Sequence, residues 1–151
     1  MTIRPMQPGD IPALIELFAE HAAYEKLPFR GHGREAALTE LIFGETPRIF
    51  GWVAEGDGGL AGYMTATIDY ATWSAAPFVY MDCLYLKPEA RGGGTGRRFM
   101  DILRAFARAR SCGEIQWQTP PDNDLGIGFY RKIGARELAK ARFSLAAEET
   151  A

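Results

Sequence analysis

Arg91-Gly92-Gly93-Gly94-Thr95-Gly96-Arg97-Arg98 concentrates more chemistry than any other stretch of this 151-residue chain. Glycines at 92, 93, 94 and 96, set just before a helix, let the backbone approach a ligand closely and leave several N–H groups unpaired. Such a turn attracts an anion. The dipole of the following helix and the guanidinium groups of Arg91, Arg97 and Arg98 add positive potential, so a pyrophosphate is the natural guest. A Walker A loop would need Lys and Ser or Thr after Gly96, where Arg97 and Arg98 stand. A dinucleotide G-x-G-x-x-G fingerprint fails as well: counted from Gly92 the third glycine is Arg97, and counted from Gly94 it is Phe99.

The second chemical signal is Asp82, a carboxylate inside the apolar run from Phe78 to Leu86. A carboxylate in mid-strand is costly to bury without a partner or a task, and burial would shift its pKa. Strand alternation predicts Tyr80, Asp82 and Leu84 on one face and Met81 and Cys83 on the other. Asp82 is the first candidate for taking up a proton, ahead of Glu25, His21 and water. Tyr24 and Glu25 end a helix and could line an entrance. Trp73 sits in a loop, where it could touch a substrate. His21 and His32 have no paired nucleophile, and Cys83 and Cys112 have no metal-ligand spacing, so both read as reduced structural thiols.

The elements that must position these residues follow from periodicity and turn signals. Thr2 to Arg4 is a short edge strand, and Asp10 is the expected N-cap of a helix from Ile11 to Lys26. A second helix covers Arg34 to Phe43, with Ala37, Leu38, Leu41 and Ile42 as its buried stripe. Ile49–Glu55 and Leu60–Tyr70 form a hairpin around Gly56-Asp57-Gly58-Gly59. After a loop from Ala71 to Pro77, Phe78–Leu86 is a long strand ended by Lys87-Pro88. The glycine turn leads into a helix through about Ser111, then a core strand Glu114–Thr119, a helix Leu125–Ile133 closed by Gly134, and a last strand Ala139–Ala146. This order predicts one α/β domain spanning 1–151, with a mixed, mostly antiparallel central sheet flanked by helices.

Composition narrows the setting. Hydrophobic residues make up 47% of the chain, an ordinary globular share that excludes a disordered or fibrous protein. A net charge of -2 gives no reason to expect nucleic-acid binding. The sequence predicts no membrane span and no signal peptide, so a cytoplasmic address is expected.

Arg91-Gly92-Gly93-Gly94-Thr95-Gly96 resembles the R/Q-x-x-G-x-G/A signature of the GCN5-related N-acetyltransferase (GNAT) superfamily. Asn123-Asp124-Leu125-Gly126-Ile127-Gly128-Phe129-Tyr130-Arg131-Lys132-Ile133-Gly134-Ala135 resembles that family's N-x-x-A-x-x-F-Y-x-K-x-G-F segment, with Gly126 for the usual Ala and Ala135 for the commoner Phe. Within the superfamily, Tyr24-Glu25 and Tyr80-Met81-Asp82 look most like the diamine and polyamine N-acetyltransferases, except that Met81 stands where those enzymes carry Glu.

The resemblance implies a GNAT-like acyl-CoA N-acyltransferase fold that passes an acetyl group from acetyl-CoA directly to a primary amine of a small molecule, without a metal. Arg91 to Arg97 and Asn123 would serve acetyl-CoA. A bulge in the preceding strand would free backbone donors at Leu84, Tyr85 and Leu86, and Tyr130 would protonate the departing thiolate. Asp82 would take the amine's proton, and Tyr24, Glu25, Asp82 and Trp73 would meet the acceptor. A homodimer through the terminal strand is the expected assembly. A non-catalytic acyl-CoA-sensing module and a protein (N-terminal or lysine) acetyltransferase remain the alternatives.

Overall fold

In the computed structural model, which describes residues 1–149, two compact units divide at Pro120/Pro121. The first unit carries a five-stranded sheet in the order β1 (Thr2–Pro5), β2 (Phe50–Gly56), β3 (Gly59–Ala71), β4 (Ala76–Leu86) and β5 (Ile115–Gln116). The first four strands pair antiparallel and β5 pairs parallel with β4, which makes the sheet mixed and mostly antiparallel. Gly56 faces Gly59 across the two-residue Asp57-Gly58 turn, and Gly59 takes φ +98°, a left-handed angle that favours glycine.

Helices cover both faces. Leu14 and Leu17 of α1 (Ile11–Tyr24) and Ile42 of α2 (Glu35–Phe43) pack with Val53, Tyr63 and Tyr85 on one face. Of the stripe expected on α2, only Ile42 is fully buried, and Leu41 stays exposed. On the opposite face Phe106 of α3 (Thr95–Ala109) meets the rings of Phe50 and Trp52, and Phe99 and Leu103 of the same helix are fully buried.

Asp10 has a different partner from the one its sequence position predicts. Its backbone is helical and its side chain caps nothing in α1. The carboxylate instead accepts two hydrogen bonds from Arg4, at 2.8 and 2.9 Å, and one from the Gln7 N–H, closing a one-turn 3-10 helix at Pro8–Asp10. Arg4 also donates to Glu55 on β2, so one guanidinium ties β1 and β2 to the entry of α1.

The long strand is where the sheet changes character. Thr65 faces Cys83 but Ala66 faces Met81, so Asp82 is an extra residue, a β-bulge. β5 pairs with β4 only at Val79 and Tyr80, before the bulge. The core strand expected from Glu114 to Thr119 is therefore cut to Ile115–Gln116, because a bulge bends its strand away from a straight neighbour.

The second unit contains α4 (Asp124–Lys132), closed by Gly134 at φ +87°. The last strand predicted at Ala139–Ala146 does not form: residues 135–146 have no regular secondary structure, and Phe143 and Leu145 are exposed. Alternation supplies a face, but a strand also needs an edge to pair with, and this segment has none among the described residues.

Candidate active site

The glycine turn is a concave stretch of open backbone of the kind that can hold an anion. Gly92 and Gly94 hold φ of +81° and +82°, conformations that cost a side-chain-bearing residue about 1–2 kcal/mol. A Cβ at Gly92, Gly93 or Gly94 would touch no protein atom within 4 Å, so these glycines keep open the space above the backbone. The ladder of α3 begins with Arg98 N–H donating to Gly94 O, and no side chain caps the helix. The N–H groups of Thr95, Gly96 and Arg97 thus precede the ladder and point out of the helix end. Thr95 itself is buried, while Arg97 and Arg98 are exposed, the latter donating to Met1 O.

Arg91 faces another way. Its Nε donates to Leu86 O at 2.8 Å, and its guanidinium lies 5.0 Å from the Tyr24 ring and 5.6 Å from the Tyr85 ring. Arg91 therefore braces the glycine turn against the end of β4 and the end of α1.

β4 presents a second row of backbone donors. Lys87 N–H bonds Ala61 O at 2.8 Å, so with a period of two the polar groups of Tyr85 face β3 while those of Leu84 and Leu86 face away. β5 has already left that edge, which leaves Leu84 and Leu86 open along it. The Leu86 carbonyl is the acceptor for Arg91, which fits this direction. Tyr85 contributes its buried ring, stacked on His21 with centroids 5.1 Å apart.

The bulge also overturns the expected burial of Asp82. Asp82 is exposed, because the extra residue is turned out of the ladder, and Tyr80 and Leu84 fall on opposite faces instead of sharing one. Beside it the Cys83 Sγ lies 3.7 Å from Asp82 Oδ2. Cys83 joins a polar group that alternation had assigned to the other face: Tyr63 Oη lies 2.6 Å from His21 Nδ1, and His21 Nε2 lies 3.3 Å from Glu25 Oε1. Burial, then the Asp82 charge, pushes the Cys83 thiol up to about 11. Burial likewise holds His21 below its usual range against the pull of Glu25 and Asp82, and raises Tyr63. Sequence reading weighed His21 only as a lone base and missed Tyr63; Cys83 beside Asp82 was the available signal.

Thus the structure gathers Tyr24, Glu25, Asp82, Leu84, Leu86 and Arg91 around the end of α1 and the open half of β4. Trp73 is not among them. It stands fully exposed in the β3–β4 turn, and the six steps along β4 from Ala76 to Asp82 span about 20 Å of strand.

On α4, the Asn123 side chain accepts from Gly126 N–H at 3.2 Å, capping the helix. A Cβ at Gly126 would come within 2.9 Å of Asn123 Cγ, so glycine here lets that cap fold over the first turn. The Tyr130 ring neighbours that of Phe129, with centroids 5.5 Å apart.

The model of the Acetyltransferase (GNAT) family matches residues 14–135. The chain belongs to the GNAT acetyltransferase family. Thialysine N-epsilon-acetyltransferase of Bos taurus is 31% identical over 147 residues, covering 92% of this chain and 86% of the relative. Phosphinothricin N-acetyltransferase of Alcaligenes faecalis is 33% identical over 109 residues, 69% of this chain and 53% of that protein. Among solved structures, the aminoglycoside acetyltransferase meta-AAC0020 from an uncultured soil metagenomic sample superposes with a TM-score of 0.81 at 18% identity, covering 97% of this chain and 96% of that one. AAC(6')-Iy, solved with the bisubstrate analogue CoA-S-monomethyl-acetylneamine, gives 0.79 at 20% identity, covering 96% and 97%. These structures share the GNAT fold with this chain. It is a GNAT N-acetyltransferase, as the glycine turn and the Asn123–Ala135 segment led one to expect.

Proposed function

We propose that this enzyme transfers the acetyl group of acetyl-CoA to the primary amine of a small, cationic acceptor by direct attack, working as a single domain. The observation that carries the acceptor assignment is the exposed Asp82 carboxylate at the bulge, on the same strand that offers Leu84 and Leu86 as backbone donors. Thialysine, after which the bovine relative is named, is an amine of that class.

Bound acetyl-CoA supplies the activated acetyl carbon and a thiolate leaving group. Thr95, Gly96 and Arg97 N–H groups, with Gly92 and Gly94 keeping the approach clear, suit its diphosphate. The outward N–H groups of Leu84 and Leu86 suit the pantetheine arm and the thioester oxygen, whose charge rises as the amine attacks. Asp82 holds the ammonium by charge and takes its proton, since only the free amine is a nucleophile. Tyr130 is assigned the return of a proton to the thiolate, on its place in the Asn123–Ala135 motif.

One carboxylate at 4 Å and an effective dielectric of about 20 contributes about 4 kcal/mol before desolvation. With Met81 beside it in place of a second acid, short diamines and basic amino-acid analogues should outperform spermine. Free-thiol release from acetyl-CoA across a panel of amines tests this. Neutral arylamines or acidic amino acids as best acceptors, with Asp82→Asn unaffected, would overturn both the substrate class and the residue. The proposal also places the enzyme in the cytoplasm as a homodimer, and sedimentation of the purified protein checks the dimer.

A further inference from the structure

The helix that carries Tyr130 is short and rich in glycine. α4 has nine residues, and an isolated helix of fewer than about 12 residues is marginal in water. Gly126 and Gly128 each lower helix formation about four- to fivefold relative to alanine. Burial offsets only part of this. Ile127, Phe129 and Tyr130 are half-buried, Leu125 is 60% exposed, and no residue from Pro121 to Glu149 is fully buried. The local terms that favour the helix are the Asn123 cap, Asp124 in the first turn, and Arg131 and Lys132 in the last.

The two glycines differ. Gly126 is required, since a Cβ there would strike the Asn123 side chain that caps the helix. Gly128 is not. A Cβ at 128 would meet nothing within 4 Å beyond the backbone of its own helix, the position is exposed, and its φ lies outside the left-handed region. Neither packing nor backbone geometry calls for glycine there, so its effect is to lower the population of the helix. Helical spacing puts Asn123, Ile127 and Tyr130, at i, i+4 and i+7, along one face, with Gly128 about 140° from Asn123 around the axis.

We propose that α4 is ordered by acetyl-CoA, a role that rests on the assignment of Asn123 and Tyr130 to that cosubstrate. Gly128 keeps the helix formed no more than about half of the time in the free enzyme, and the formed helix is the state that binds. Acetyl-CoA on the Asn123–Tyr130 face draws α4 to full population and brings the Tyr130 hydroxyl into place. Ordering draws on the binding energy, so CoA is held less tightly than a preformed helix would hold it and leaves more readily after transfer. Gly128 touches no ligand; it is a positioning residue that sets how often Tyr130 stands ready.

The test is hydrogen exchange of the backbone amides of residues 124–133, read by mass spectrometry with and without CoA, beside isothermal titration of CoA into the same proteins. In the wild type, saturating CoA should slow exchange across α4 by at least about tenfold. A fivefold gain in helix formation, starting from a helix at most half formed, raises its population about two- to threefold. Gly128→Ala should therefore slow ligand-free exchange about two- to threefold and tighten CoA binding by the same factor, although it adds no contact to the ligand. Gly113→Ala, at an equally open and exposed glycine between α3 and β5, should change neither. Exchange in α4 that CoA leaves unchanged while titration shows it bound overturns the ordering and leaves the acetyl-CoA assignment standing. So does a helix protected more than about tenfold before CoA is added, or a Gly128→Ala protein with slower exchange and unchanged affinity. No CoA binding by the wild type removes the acetyl-CoA assignment and the ordering with it.

Discussion

Gly93 separates binding from backbone strain. Its neighbours Gly92 and Gly94 need a positive φ, whereas Gly93 does not, and a Cβ there would meet no protein atom within 4 Å. Gly93→Ala should therefore leave the melting temperature nearly unchanged. Gly94→Ala should cost about 1–2 kcal/mol in the left-handed region, which for a chain of this size is about 2–8 °C. Both methyls stand in the space through which a diphosphate would approach the N–H groups of Thr95, Gly96 and Arg97, so both should weaken acetyl-CoA binding by about tenfold, or about 1.4 kcal/mol. Gly94→Glu adds a carboxylate. At about 5 Å from a diphosphate and an effective dielectric of about 20, the repulsion is about 3 kcal/mol, a factor of about 10². Isothermal titration with CoA, paired with thermal melts, measures each term. Unchanged CoA affinity in the Gly94→Glu protein, folded by its melt, would refute the placement of the diphosphate at this turn.

Tyr130→Phe keeps the ring beside Phe129 and removes the proton, so kcat should fall by about 10²–10⁴-fold with little change in melting temperature; equal losses of activity and stability would point to packing. Arg91→Lys loses the fork that holds the Leu86 carbonyl and covers Tyr24 and Tyr85, and should raise the acetyl-CoA KM, at a cost of about 1–3 kcal/mol, read from the substrate dependence of the rate. Asp10→Asn should cost about 1–3 kcal/mol at neutral pH, because the Arg4 guanidinium holds the Asp10 carboxyl below its usual range. A depressed folded pKa stabilises above the unfolded value of about 3.9 and is lost as pH falls through the folded one, so melts of mutant and wild type should differ constantly from pH 5 to 8 and converge below about pH 4. Gly126→Ala should displace the Asn123 cap and destabilise α4 by about 0.5–2 kcal/mol less the gain in helix propensity, measured by denaturant titration.

Local chemistry wrote much of this protein directly into its chain. Glycines at 92, 93, 94 and 96 announce a turn whose backbone can come close to a ligand, Asp57-Gly58 announces a two-residue turn, and the apolar spacing of Phe99, Leu103 and Phe106 announces a helix face; each depends on neighbours within a few residues. The order of elements and the two motifs therefore carried the family and the sheet's mixed character. What depended on distant partners was not legible. Alternation assumes an unbroken ladder, and only the pairing of β4 with β3 decided that Asp82 would be the extra residue, turned outward, with Cys83 swung to the side of Tyr63 and His21. The same register ended β5 after two residues, and it took the fold to show that Asp10 answers to Arg4 and that Arg91 turns back to Leu86. A hydrogen-bond partner far along the chain is chosen by the geometry of the whole sheet, as the 42-residue separation of His21 and Tyr63 illustrates, and no local pattern encodes it.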